Sequence, residues 1–149
     1  MPVYFYDTKE NPYGCFTNFS RHGFELDGEW WKTSEHYFQA QKFIGTPYCE
    51  EIRRLPTARE AFNLAHSLKD SIRPDWKQVR DDIMRKAVLR KFEFNSEIRA
   101  VLLSTGDALL IEDSPVDAYW GRGADGKGKN MLGIILMEVR AELRDRTQK

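Results

Sequence analysis

Asp117-Ala118-Tyr119-Trp120-Gly121-Arg122-Gly123-Ala124-Asp125-Gly126-Lys127-Gly128-Lys129-Asn130 is the stretch whose reading decides the fold. Four of the ten glycines fall within eight residues here, with Arg122, Lys127 and Lys129 among them and the apolar run Met131 to Met137 directly behind. That pattern predicts a loop feeding a helix. Glycine admits positive φ and close backbone approach, so such a loop can turn several N–H groups toward one anion. Asn130 is predicted as the N-cap of the following helix, whose first N–H groups and dipole favour a phosphate. Asp117, Tyr119 and Trp120 add a carboxylate and two rings on which a planar group can stack.

The same stretch spells G-x-G-x-x-G from Gly121 to Gly126. A dinucleotide fingerprint needs a strand before it, a returning strand after it and an acidic residue about twenty positions on. Here the last helix runs almost to the end of the chain, no strand returns, and the Rossmann reading fails.

Working outward, 149 residues suit one domain with a sizeable core, so residues 1–149 are read as a single domain. Net charge is zero, so no global field draws the chain to duplex nucleic acid or an anionic membrane, although a local anion site stays open. No apolar run approaches the roughly twenty residues of a membrane span and no basic-then-apolar leader opens the chain. The expectation is a cytoplasmic protein without membrane contact. Cys15 and Cys49 lack C-x-x-C spacing, and His22, His36 and His66 are scattered, so no metal site and no disulfide framework are expected.

Val3 to Tyr6 reads as a first strand, and residues 7–20, with Asn11-Pro12 and Phe16-Thr17-Asn18-Phe19, as a loop. Phe24-Glu25-Leu26, Asp27-Gly28 and Glu29-Trp30-Trp31 form a strong hairpin signal. Thr33 is predicted to cap a helix with Glu35 in its first turn. Thr46-Pro47 opens a second helix to about Leu55, and Thr57-Ala58-Arg59-Glu60 is a capping box for a third to about His66. Asp75 is predicted to cap a long helix from Trp76 to about Phe92. Another follows from Ser96 to Leu103, then a strand at Ala108–Glu112 and a last helix from Met131 to about Arg144. The fold class is α+β, mainly α-helical, with about six helices and three or four short strands.

On a wheel of about 100° per residue, Glu35, Gln39 and Lys42 fall within about 60° of one another, with Phe38 and Phe43 on the flanks. A polar stripe bordered by aromatics reads as the wall of a pocket. The preceding hairpin carries two tryptophans, the apolar surroundings that perturb a carboxylate or a lysine.

These motifs together resemble the NADAR family, also called YbiA-like proteins, over essentially the whole chain. The matching pieces are Phe16-Thr17-Asn18-Phe19, Trp31 through Phe43, Trp76, and Asp117-Ala118-Tyr119-Trp120-Gly121 through Lys127-Gly128-Lys129-Asn130-Met131-Leu132-Gly133. The chain departs from the family pattern at Ala65-His66, where many relatives have Gly-Arg, and at Thr17, where Ser is common. The resemblance implies an N-glycosidase that hydrolyses the bond between ribose C1′ and an amine nitrogen. Its substrate would be a ribosylamino-pyrimidine 5′-phosphate of riboflavin biosynthesis or an ADP-ribosylated guanine in nucleic acid. The partner is then a small phosphorylated ribosyl-amine or that one modified base, without a stable nucleic-acid complex. The resemblance also carries Asn18, Phe19, Trp31, His36, Gln39, Trp76, Tyr119, Trp120, Gly121, Arg122, Gly123, Lys127, Gly128 and Asn130 into the substrate-binding set, with Lys69 or Arg73 replacing the missing arginine as phosphate contact.

Breaking C1′–N builds positive charge on the ribose and needs a proton on the leaving nitrogen. Glu35 and Asp117 are assigned the carboxylate roles, each positioned group being worth about 10²–10⁴ in rate, and their separate elements must then converge. Lys42 offers a second route, attack on C1′ of the ring-opened imine to form a Schiff base. Neither scheme requires a metal or a cofactor. The rival is a non-catalytic module that binds NAD or ADP-ribose, which would need the loop and its aromatics but not Glu35 or Lys42.

Overall fold

A left-handed pair at Asp27 (φ 55°) and Gly28 (φ 80°) turns the chain back on itself between β2 (Phe24–Leu26) and β3 (Glu29–Trp31). This is the geometry that Asp-Gly favours in a two-residue hairpin. The antiparallel register sets Phe24 opposite Trp31 and Glu25 opposite Trp30. Alternation therefore buries Phe24 and Trp31 and leaves Trp30 exposed. The computed structural model describes residues 1–147. The chain forms two compact units, one of Arg21–Phe94 and the other of Met1–Ser20 with the chain from Asn95 onward.

In the first unit the hairpin leads into α1 (Ser34–Gln41), followed by α2 (Pro47–Arg54), α3 (Ala58–Ser67), a 3₁₀ turn at Lys69–Ser71 and α4 (Trp76–Phe94). Extended Thr33 caps α1 and Thr57 caps α3, each hydroxyl accepting the N–H three residues on, as the sequence predicts. Helix α1 packs against α2, α3 and α4. All eight of its residues are buried, Glu35, His36, Gln39 and Gln41 among them. Trp31, Tyr37, Ala40, Phe43 and Ile52 form the surrounding core with Ala61, Ala65 and Ala87, whose small side chains let the helices close in. Burying side chains of the larger kind stabilises by roughly 1.5–3 kcal/mol each, which offsets the cost of holding polar groups on α1 out of water. Asp75, predicted as the cap of α4, instead accepts from Arg73 through both carboxylate oxygens, at 2.6 and 2.9 Å. A guanidinium two residues upstream outcompetes the helix amides for the carboxylate.

In the second unit β1 (Val3–Phe5) pairs in parallel with β4 (Leu110–Glu112), Val3 opposite Leu110. A 3₁₀ turn at Tyr13–Phe16 follows β1, and α5 (Ser96–Ser104) precedes β4. The last helix, α6 (Met131–Thr147), packs on β4 and α5. Buried Arg140 anchors the turn after α5 by donating to Thr105 Oγ1 at 2.9 Å and the Ala108 carbonyl at 2.8 Å.

The described residues thus hold six α-helices and four three-residue strands, an α+β fold that is mainly helical. No helix among them is long and apolar enough to cross a membrane.

Candidate active site

Helix α1 sets Glu35, Gln39 and Lys42 on one stripe, at 5%, 3% and 8% exposure. Side chains of this polarity are rarely so deeply covered without a chemical reason. Gln39 Nε2 donates to Glu35 Oε2 at 2.7 Å, one turn away. Its Oε1 is buried and accepts no hydrogen bond. Lys42 follows at the helix end. Its amine makes no hydrogen bond or ion pair among the described residues. Aromatic faces line it instead, with Nζ 5.9 Å from the Phe38 centroid and 5.7 Å from that of Trp76. The two rings tilt against each other at 5.0 Å. Burial pulls the Lys42 pKa below its ordinary 10.5, and the negative charge of Glu35 only partly opposes this. A lysine in such a place holds more free amine near neutrality than one in water.

Trp76 is half-buried at the start of α4, and it reaches Lys42 because the Arg73 amide donates to the Lys42 carbonyl at 2.9 Å. That bond fastens the chain before α4 to the end of α1. Arg73 spends two guanidinium nitrogens on Asp75, and Lys69 is exposed.

Two residues assigned to ligand contact belong to the scaffold. Trp31 lies in the core, its indole N–H donating to the Leu26 carbonyl at 3.0 Å and its ring set edge-on to Tyr37 at 4.9 Å. His36 is fully buried with both ring nitrogens engaged, Nε2 to the Leu55 carbonyl at 2.9 Å and Nδ1 to Thr33 Oγ1 at 2.7 Å. A carbonyl only accepts, so Nε2 carries the proton, and the Thr33 hydroxyl donates to Nδ1 while accepting the His36 amide. Burial pulls the His36 pKa down, in keeping with the neutral ring this arrangement demands.

In the other unit the glycine-rich stretch folds onto itself. The amides of Gly128, Lys129, Asn130, Met131 and Leu132 donate to the carbonyls of Arg122, Ala118, Gly121, Tyr119 and Trp120 respectively, at 2.7–3.1 Å. The expected cradle at the start of α6 is therefore corrected: its first amides already close this loop. Gly128 is needed there because a Cβ would sit 2.6 Å from the Gly121 carbonyl and 2.7 Å from that of Ala118. Nor does the Asn130 side chain cap α6. Held at φ 54°, it accepts from the Glu112 amide and donates to the Leu110 carbonyl, both at 2.9 Å, as a substitute strand edge for β4.

Asp117 Oδ1 accepts from the amides of Tyr119 and Trp120, both at 2.9 Å, and so builds the turn that carries those rings. Tyr119 and Trp120 are half-buried and edge-to-face at 4.9 Å, with Lys129 Nζ 5.5 Å from the Tyr119 centroid. Arg122 pairs with Asp113 at 2.6 Å and lies over the Tyr4 ring. Gly121 and Gly123 are buried and Lys127 is exposed, while Asn18 and Phe19 are half-buried in the turn after the 3₁₀ segment. Among the described residues no group of three or more His, Cys, Asp or Glu side chains could hold a metal ion.

The NADAR domain model matches residues 4–144. The chain belongs to the NADAR domain family. It is 47% identical over 141 residues to the N-glycosidase YbiA of Escherichia coli, covering 95% of this chain and 88% of that one. A riboflavin biosynthesis protein of Vibrio vulnificus is 43% identical over 145 residues, which is 97% of this chain and 39% of the longer relative. The solved NMR structure of the E. coli YbiA protein superposes with a TM-score of 0.92 at 44% identity, over all of this chain and 88% of that one. The stripe on α1 is thus a feature of a NADAR chain.

Of the proposed site residues, the first unit brings together Glu35, Gln39, Lys42 and Trp76. Phe38, which the sequence places only on the flank of the stripe, completes the wall against Lys42; its spacing from Lys42, one helical turn, is the signal that points to it.

Proposed function

We propose that this NADAR chain is an N-glycosidase that hydrolyses the ribose C1′–N bond of ribosylamino-pyrimidine 5′-phosphates. The observation that carries the reading is Lys42, a buried amine without a polar partner, flanked by Phe38 and Trp76 and held at a lowered pKa on one stripe with Glu35. A binding module has no use for such an amine. A Schiff-base enzyme does. Relatives named N-glycosidases support the reaction class, and a relative named as a riboflavin biosynthesis protein supports the pyrimidine substrate over ADP-ribosylated guanine.

Ring opening turns the ribosylamine into an imine between C1′ and the pyrimidine amine. Lys42 Nζ attacks C1′ with its free electron pair, and its two protons pass by way of the Glu35 carboxylate to the leaving nitrogen. The C1′–N bond then breaks, the amine leaves neutral, and C1′ stays as an imine on Lys42. Water adds to that imine, Lys42 departs with its protons restored, and ribose 5-phosphate is released as the aldehyde. Glu35 moves protons in both halves and stabilises the cationic carbon. Gln39 holds the carboxylate in place. Phe38 and Trp76 keep water from solvating the ammonium form of Lys42. Asp117 is assigned to the order of the Tyr119-Trp120 turn rather than to proton transfer.

Chromatography of purified protein with a ribosylamino-pyrimidine 5′-phosphate, run beside an ADP-ribosylated guanine oligonucleotide, tests the reading. Ribose 5-phosphate is expected from the first, with Glu35→Gln and Lys42→Ala each losing about 10²-fold or more. Full turnover in both variants would remove the assignment.

A further inference from the structure

Gln39 Oε1 is a buried polar atom on α1 that the proposed reaction leaves unused. The side chain is 97% covered, Nε2 is committed to Glu35, and this commitment fixes which way the amide faces. Reversing it would set a carbonyl oxygen against a carboxylate. Oε1 is thus an acceptor of fixed direction to which no protein group among the described residues donates. A buried acceptor left unpaired costs about 1–3 kcal/mol, so such an atom in a folded protein has a role to be accounted for, and a donor brought by a ligand accounts for it here.

The identity of that partner follows from position. Lys42 lies three residues on from Gln39, on the adjacent turn of the same stripe, where side chains are neighbours. On the Schiff-base reading C1′ is bound to Lys42 Nζ, and the group one carbon further along the sugar is the 2′-hydroxyl. A hydroxyl carries the one proton that a carboxamide oxygen needs. We propose that Gln39 Oε1 accepts a hydrogen bond from the 2′-hydroxyl of the substrate and so makes the site selective for ribosyl over 2′-deoxyribosyl amines. Because Oε1 is out of solvent contact in the free protein, the hydroxyl reaches it as the side chains covering it give way. The sugar and the amide then satisfy each other. A site built to pair with a hydroxyl rejects an analogue lacking it more strongly than an apolar pocket rejects an extra group.

This inference rests on the proposed glycosidase reading, and two measurements separate the failure of one from the failure of the other. The first is calorimetric binding of ribose 5-phosphate and of 2-deoxyribose 5-phosphate to the wild-type chain, which requires neither turnover nor a variant. Ribose 5-phosphate is expected to bind about tenfold more tightly, the worth of one hydrogen bond; equal affinities overturn the inference even if the chain is an active hydrolase. The second is kcat/KM on matched ribosyl and 2′-deoxyribosyl substrates for wild type and Gln39→Met. Taking the ratio between the proteins cancels the intrinsic reactivity difference of the two sugars. Loss of the Glu35 contact slows both substrates alike, whereas loss of the acceptor falls on the ribosyl substrate alone, so the preference for ribose should drop about tenfold. An equal fall on both would make Gln39 only a support for Glu35. Discrimination in binding without any turnover would instead keep the hydroxyl contact and remove the hydrolase.

Discussion

Lys42 and Asp117 show how one residue's surroundings decide what it can do. Lys42 has aromatic rings where a surface lysine has water, so its ammonium form is the one that suffers. The sign is fixed by the direction of the shift. A base with a lowered pKa becomes a free amine at a pH below its ordinary 10.5, so acylation of Lys42 by an amine-selective reagent should level off at a lower pH than that of surface lysines. Glu35 holds that pKa up in part, and Glu35→Gln should move the Lys42 profile further toward acid. Peptide mass spectrometry across pH reads both, and a Lys42 profile that coincides with that of exposed Lys127 would contradict the account.

Asp117 is the converse case, a carboxylate that accepts from two backbone amides. An amide oxygen can take over that duty, so Asp117→Asn should keep turnover within about threefold, while Asp117→Ala, which cannot accept, costs about 1 kcal/mol of stability and slackens the turn beneath Tyr119 and Trp120. Equal damage from both substitutions, with stability unchanged, would return Asp117 to proton transfer. The sequence shows that a carboxylate stands beside two aromatics. It does not show that the next two amides reach it first.

At the scale of elements, local chemistry was legible and remote competition was not. Asp27-Gly28 could only make a left-handed turn between alternating residues, and Thr33 and Thr57 cap their helices because nothing else claims those hydroxyls' lone pairs. The polar stripe on α1 was visible because Glu35, Gln39 and Lys42 share one period. Its depth was not, because burial comes from α2, α3 and α4 together. The same limit explains the misreadings. His36 and Trp31 belong to matching motifs, yet their polar atoms serve the Leu55 and Leu26 carbonyls. Asn130 stands directly before an apolar helix as an N-cap would, but its partners lie on β4, 18 and 20 residues back. Asn130→Gly keeps the left-handed φ and removes only the side chain. It should therefore cost about 1–3 kcal/mol through the two lost bonds, with Asn130→Ala costing more because it adds backbone strain. Urea unfolding measures both, and a Gly variant as stable as wild type would show that β4 needs no such partner.

At the scale of the whole molecule, membership of the NADAR domain family rests on residues 4–144, so nearly all of the chain is accounted for by one family. What distinguishes catalysis from mere binding is narrower than the fold. On the proposed reading it is a single amine, Lys42, whose pKa is lowered by burial beside a carboxylate that an amide holds in place. Reductive trapping tests that claim most directly: the protein is mixed with a ribosylamino-pyrimidine 5′-phosphate and cyanoborohydride, and the intact mass and the modified peptide are measured. The account predicts one added ribityl phosphate on the peptide carrying Lys42, lost in Lys42→Ala. Substrate turned over at the full rate with no adduct, or by Lys42→Ala as fast as by the wild-type chain, would contradict it.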